Sequence, residues 1–286
     1  MSLLLSRYRL LVAACLGLCA QAAAFSAAAV GEPYALRGEF EQGAVVFGHT
    51  DPGASVSLDG RKLLLTAKGE FVFGFDRDAG PQAELRVKLP GQAELVKHYT
   101  VRKRAWEIQR IEGLPPKLVN PPPETEQRIV AEAKTITAAH QRDSAIDDFT
   151  QPFMWPASGR VSGVFGSQRI LNGTPKQPHY GVDMAVPVGT PVHAPAGGII
   201  ALAEPDLYFT GGTIIIDHGH GLSSVVVHLS KLLVKPGDRV QRGQVIALSG
   251  MTGRATGPHV HWGVYWFGAH VDAQRLVQPM PGGKEQ

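Results

Sequence analysis

The sequence is poor in cysteine, in aromatic residues and in charge of either sign. Its two cysteines, Cys15 and Cys19, both fall within the first 20 residues. Beyond them there is no thiol, which excludes disulfide frameworks and thiolate nucleophiles from the rest of the chain. Any metal centre there has to be built from His, Asp or Glu. Charged residues make up 19% of the chain and the formal net charge is +3. No block of basic residues stands out, which argues against nucleic acid as a partner. A bilayer-spanning run, which needs roughly 20 apolar residues, is also missing. The one apolar run near the start, LLVAACLGLCA, is shorter than that. Arg7 and Arg9 precede it, no acid accompanies them, and the small-residue stretch AQAAAFSAAA follows. Residues 1–25 therefore read as a secretory signal, cut near Ala22 to Ala24 or Ala27 to Ala29. Both cysteines leave with it, and no transmembrane segment is expected in the mature chain. The VAAC before Cys15 resembles a lipobox, but the apolar run ahead of it is too short to favour a lipoprotein.

What is present divides the chain into three further parts. Residues 26–112 are short apolar runs between turn signals. AVVFGHTDPGASVSLDG holds a strand, a Pro52-Gly53 turn and then alternation at Val56 and Leu58, and KLLLTAKGEFVFGF and ELRVKLPGQAELVKHYTV continue the pattern. This predicts a small β-sandwich. It carries two isolated histidines, His49 and His98, and no cluster of polar groups with catalytic potential. Residues 113–150 open with GLPPKLVNPPP, a linker stiffened by five prolines. A helix is expected from 124 to about 147, with Ile129, Val130, Ala133, Ile136 and Thr137 on one side, acting as a strut. From 151 to 286 strand-like runs and glycines return. The predicted fold class is mainly β, with an antiparallel, barrel-like C-terminal sheet carrying a groove.

Histidine is what this last part has in quantity. Eight of the 11 histidines lie there, and three stretches stand out: PHYGVDMA, VVVHLS and GPHVHWGV. His259 and His261 are two residues apart, so in an extended strand they share a face. His179 and Asp183 are four apart, and the glycine and proline around them disfavour a helix, so extended chain again puts both on one side. Adjacent imidazoles are costly to bury unless hydrogen-bonded, catalytic or bound to metal. A catalytic zinc commonly takes three protein ligands and leaves one position open. His179, Asp183 and one of the histidine pair would make such a set, although each short motif by itself is also explained by structural histidines.

Read together, PHYGVDMAVPVGTPVHAPAGG, DHGHGLSSVVVHLS and KPGDRVQRGQVIALSGMTGRATGPHVHWGV resemble, in order and spacing, the lysostaphin/LytM-type zinc endopeptidases. The resemblance covers residues 157 to 277. It implies that His179, Asp183 and His261 hold one Zn²⁺ per chain. It also implies that His228 and His259 are the catalytic histidines that do not ligate the metal. The implied activity is hydrolysis of peptide cross-links in bacterial peptidoglycan by a metal-activated water. A D-alanyl–diaminopimelate bond is the first candidate, glycine-rich bridges the second, and the periplasm of a Gram-negative cell ranks before the extracellular medium. The runner-up is a module that binds peptidoglycan or activates an amidase, which would have no use for an open metal position. The N-terminal domain is a candidate intramolecular cover of the groove. For His218 a turn or supporting role near the site is the lesser alternative to a bland one, while His193, His220 and His270 are expected to be structural or exposed. Val226 stands where many relatives have tyrosine, and is expected to alter substrate packing. Two segments, VPVGTPVHAPAGGIIALAE and VKPGDRVQRGQVIALSG, echo the halves of a biotinyl carrier hairpin. A carrier lysine at a tight turn between them is lacking, so the echo is read as shared β architecture.

Overall fold

The computed structural model describes residues 32–111, 123–171 and 173–280. The predicted signal sequence and nearly all of the proline-rich linker lie outside them.

The N-terminal unit is the expected sandwich. One sheet has the order Tyr34–Arg37, Val45–Thr50, Glu70–Gly74, and the other Arg61–Leu63, Ser55–Leu58, Gln82–Lys88, Leu95–Thr100. Alternation does what the sequence suggests: Val56 and Leu58 point inward, as do Ala83, Leu85 and Val87. They meet Val46, Phe71 and Phe73 from the facing sheet in a closed core. The Pro52-Gly53 turn is fixed by the Asp51 carboxylate, which accepts from the Gly53 N–H at 2.7 Å.

The C-terminal sheet has ten strands. Its main path runs Arg239–Val240, Gly198–Leu207, Gly211–Gly219, Leu222–Leu232, Val260–Trp266, Val182–Ala185, Arg160–Gly163, every neighbour antiparallel. Strands Pro191–His193 and Val245–Ser249 pair with each other, so the carrier-like echo marks two segments that meet in a barrel-like fold. A parallel exception is Ile108–Ile111, which leaves the sandwich and pairs with Gln168–Leu171.

The central strands Gly211–Gly219 and Leu222–Leu232 are buried on both faces, which is why their sequences are apolar runs with little alternation. Ile214, Ile216, Val226 and Trp262 face one core, shared with the N-terminal sandwich. Leu202, Ile215, Val225 and Val227 face a smaller cluster closed by Ile136 and Ala139 of the helix Glu126–His140. Thus the helix is a strut, as expected, but it ends seven residues earlier than 147. The chain beyond it is captured by tertiary bonds: the His220 N–H donates to the Ser144 carbonyl at 2.9 Å, and Ile146 packs over Gly219. The inward face is also narrower than periodicity suggests. Ile129, Glu132, Ile136, Ala139 and His140 turn toward the sheet, whereas Val130, Ala133 and Thr137 are exposed. Glu132 turns inward because its carboxylate caps the Tyr208 N–H at 2.8 Å.

Two histidines are buried as neutral rings. His140 stacks on Tyr265 at 3.8 Å and bonds Ser223 Oγ, and burial pushes its imidazole down to about 3. His218 bonds the Gly197 carbonyl and Ser224 Oγ, and burial pushes it down to about 4 against the pull of that carbonyl. Both pKa values lie below the unfolded 6.5, so the unfolded chain binds the extra protons. Stability should be intact above pH 6.5 and fall as pH drops toward 4, by up to about 1.4 kcal/mol per pH unit for each ring. Urea unfolding from pH 7 to 4 checks this, and His140→Gln should flatten part of the slope.

Candidate metal centre

Register places the first two groups. Asp183 on Val182–Ala185 lies directly opposite His261 on Val260–Trp266, and cross-strand partners project to the same face. His261 Nδ1 sits 2.9 Å from Asp183 Oδ1. His179 arrives from the loop before Val182–Ala185, and its Nε2 lies 3.0 Å from Asp183 Oδ1 and 2.9 Å from His261 Nδ1. Three ligand atoms therefore form a nearly equilateral triangle. All three side chains keep partial exposure, between 17% and 25%.

The donor chemistry of this triangle fits a metal ion. His179 Nδ1–H donates to the Val164 carbonyl at 2.9 Å, so a neutral ring offers a lone pair at Nε2. That lone pair, the His261 nitrogen and a carboxylate oxygen converge on one point. A tetrahedral ion with bonds of about 2.0–2.1 Å needs ligand atoms roughly 3.3 Å apart, close to what is seen. Burial works to raise the Asp183 carboxyl, but the imidazole nitrogens of His179 and His261 beside it outweigh burial and hold the group well below the usual carboxylate range. Burial pushes His261 down, against the opposing pull of Asp183. Metal binding here would require the carboxylate ionised and both imidazoles neutral.

The other two predicted residues join the cluster. His259 Nε2 is 3.9 Å from Asp183 Oδ1, and its Nδ1–H donates to the Gly257 carbonyl at 2.8 Å. His228 needs a backbone irregularity to get there. Val225 and Val227 already occupy the site face, so regular alternation would send His228 to the far side. Instead His228 takes φ +65°, at a register shift in its strand, and its ring lies 4.6 Å from that of His259. A non-glycine residue in this region stores strain that its surroundings must support. Here the Thr210 carbonyl accepts from the His228 N–H and the Thr252 carbonyl from its Nδ1–H, both at 2.8 Å. Burial pushes the His228 imidazole down to about 4, against the pull of the Thr252 carbonyl.

The remaining expectations fare differently. His218 lies on the opposite face, fully buried, and reaches the site only indirectly: it shares Ser224 Oγ with the indole of Trp262, next to His261. Val226 points into the core, opposite to the site, so it cannot pack on a substrate. His270 is structural, with its Nδ1 3.0 Å from Asp76 and its ring stacked on Tyr180 at 3.6 Å. Two glycines escaped the sequence reading. A Cβ on Gly163 would collide with the Asp183 carboxylate, and one on Gly181 would sit 2.4 Å from the Trp262 carbonyl oxygen and 2.6 Å from His261 Nε2. Gly181 was visible as a single glycine two residues from both His179 and Asp183, whereas Gly163 meets Asp183 only through pairing of strands that are not adjacent in the chain.

Residues 177–273 match the sequence profile described as peptidase family M23. The peptidoglycan DD-endopeptidase ShyA of Vibrio cholerae serotype O1 is 41% identical over 122 residues, 42% of this chain and 28% of ShyA. The DD-carboxypeptidase/endopeptidase Mpg of Neisseria meningitidis serogroup B is 37% identical over 103 residues, 36% of this chain and 24% of Mpg. The chain thus spans about a quarter of the curated relatives it matches. A crystal structure of a peptidase M23 from Pseudomonas aeruginosa aligns over 84% of this chain and 95% of its own length, with 31% identity and a TM-score of 0.66.

Gly181→Ala should displace the His261 ring and weaken divalent-metal binding at least about tenfold, on the scale of other losses of ligand support. Competition with a chromogenic chelator measures it, and circular dichroism separates loss of binding from disturbance of the strand at the Trp262 carbonyl.

Proposed function

This chain belongs to peptidase family M23, and we propose that it is a zinc-dependent endopeptidase that cuts peptide cross-links of bacterial peptidoglycan. The observation that carries the reading is the convergence of His179, Asp183 and His261 beside a second histidine pair, His228 and His259. Zinc is the preferred metal because a set of two imidazoles and one carboxylate suits it. Bound there, it supplies a Lewis acid that lowers the pKa of a bound water toward 7 and polarises the scissile carbonyl.

The chain's own residues account for the proton. His228 and His259 each donate Nδ1–H to a backbone carbonyl, which leaves Nε2 as the acceptor. Burial pushes the His228 imidazole down to about 4, so the ring is neutral at pH 7 with its Nε2 lone pair unprotonated. The pair receives the proton released as water attacks and hands it to the departing amine. The ligand side chains, 17–25% exposed, are reachable from solvent.

The D-alanyl–diaminopimelate bond is the favoured target, supported by the DD-endopeptidase name carried by ShyA. Export to the periplasm follows from the reading of residues 1–25. Among the described residues, no helix is long and apolar enough to cross a membrane. A binding or amidase-activating module is disfavoured, because all five polar residues are present and meet. An intramolecular cover by the N-terminal unit would have to extend beyond its described contacts. Those contacts include Gly166, His270 and Asp272 as well as the shared core, and none of these three is a ligand.

Digestion of purified cross-linked sacculi by the zinc-loaded chain, read by mass spectrometry, tests the proposal. Cross-linked muropeptides should disappear with wild type and persist with His261→Ala. His228→Ala and His259→Ala should keep the zinc but lose roughly 10²–10⁴-fold in kcat. Intact cross-links after wild-type digestion would reject the substrate.

A further inference from the structure

The three ligands are not held alike. Asp183 and His261 sit in paired strands, fixed by the sheet ladder. His179 lies outside any regular element, between Thr174–Pro175 and Val182–Ala185. Its support is the loop 164–167. Besides the Val164 bond to its ring, the Gly166 N–H donates to the His179 carbonyl at 2.8 Å, and the His179 N–H donates to the Ser167 carbonyl at 2.8 Å.

That loop is gripped from the N-terminal unit. Arg77, which follows the sandwich strand Glu70–Gly74, is almost fully buried, at 5% exposure. Its Nε and Nη2 both donate to the Gly166 carbonyl, at 3.0 and 2.8 Å. Its remaining nitrogen, Nη1, bonds Asp78. Trp106 lies over Gly166 so closely that a Cβ there would run into the indole, and it meets Phe165 edge-on at 5.6 Å. The guanidinium groups of Arg77 and Arg104 flank the Trp106 ring at 5.1 and 4.5 Å. Gly166, at φ +83°, therefore bonds the ligand residue through its N–H and Arg77 through its carbonyl.

We propose that Arg77 is a positioning residue for the metal centre: through the Gly166 carbonyl it fixes the loop that orients His179, so the N-terminal unit is a working part of the site. The inference rests on reading the three ligands as a metal centre. A buried guanidinium has a large desolvation cost, and a forked pair of bonds to one carbonyl is a specific way of offsetting it. Lysine keeps the charge but cannot reproduce the fork. Outer contacts of this kind typically change metal affinity about 10- to 100-fold.

The test uses the full chain with Arg77→Met and Arg77→Lys, and Arg86→Ala as a surface control. Zinc affinity is measured by chelator competition, site geometry by the visible spectrum of the cobalt(II)-substituted protein, and folding by thermal unfolding of the metal-free chain. Arg77→Met should bind zinc about 10- to 100-fold more weakly, with altered cobalt bands. Arg77→Lys should fall between it and wild type, and Arg86→Ala should match wild type. If Arg77→Met does not fold, Arg77→Lys decides. A folded Arg77 variant with wild-type zinc affinity and cobalt spectrum would overturn the proposal, even with lowered thermal stability. Failure of wild type itself to bind zinc would instead reject the metal centre.

Discussion

Two imidazole nitrogens and a carboxylate oxygen, each within 3.0 Å of the other two, are the constraint around which the C-terminal unit is organised. One proton can bridge a single pair of these atoms and leaves the third acceptor facing another. With the His179 Nδ1 proton committed to Val164, the cluster is short of positive charge. A dication at the common point would remove that deficit while the carboxyl stayed ionised and the rings stayed neutral. The glycines at 163 and 181 make the approach sterically feasible, because side chains there would occupy the space of Asp183 and His261.

The rest of the sheet serves this geometry. Strands buried on both faces give a rigid floor, and the helix Glu126–His140 closes the smaller apolar cluster on the face that carries the ligands. His228 joins the site only because the backbone breaks alternation, and the cost of its left-handed conformation is offset by two bonds from neighbouring loops. The N-terminal sandwich shares the main core with the sheet and reaches the ligand loop through Arg77 and Trp106. Supporting structure for the chemistry thus comes from both halves of the chain.

The parts readable in the sequence were those that depend on local periodicity. Alternation at Val56 and Leu58 announced the sandwich, and the two-residue spacing of His259 and His261 announced a shared face. The family resemblance, more than spacing, assigned five polar residues that the fold does bring together. What was hidden depends on partners distant in sequence. The helix stops at His140 because Ser144 and Ile146 are taken by the 219–220 turn. Val226 turns away from the site because Val225 and Val227 face it. The role of Arg77 arises across 89 residues of sequence, and nothing next to it in the chain signals it.

The most direct test is zinc-edge X-ray absorption of the full-length protein after zinc loading, with metal content measured on the same sample. The account predicts one zinc per chain, two imidazole ligands and light oxygen donors at about 2.0–2.1 Å, with one imidazole lost in His261→Ala. A chain that retains no zinc, or one whose zinc keeps both imidazoles in His261→Ala, would contradict it.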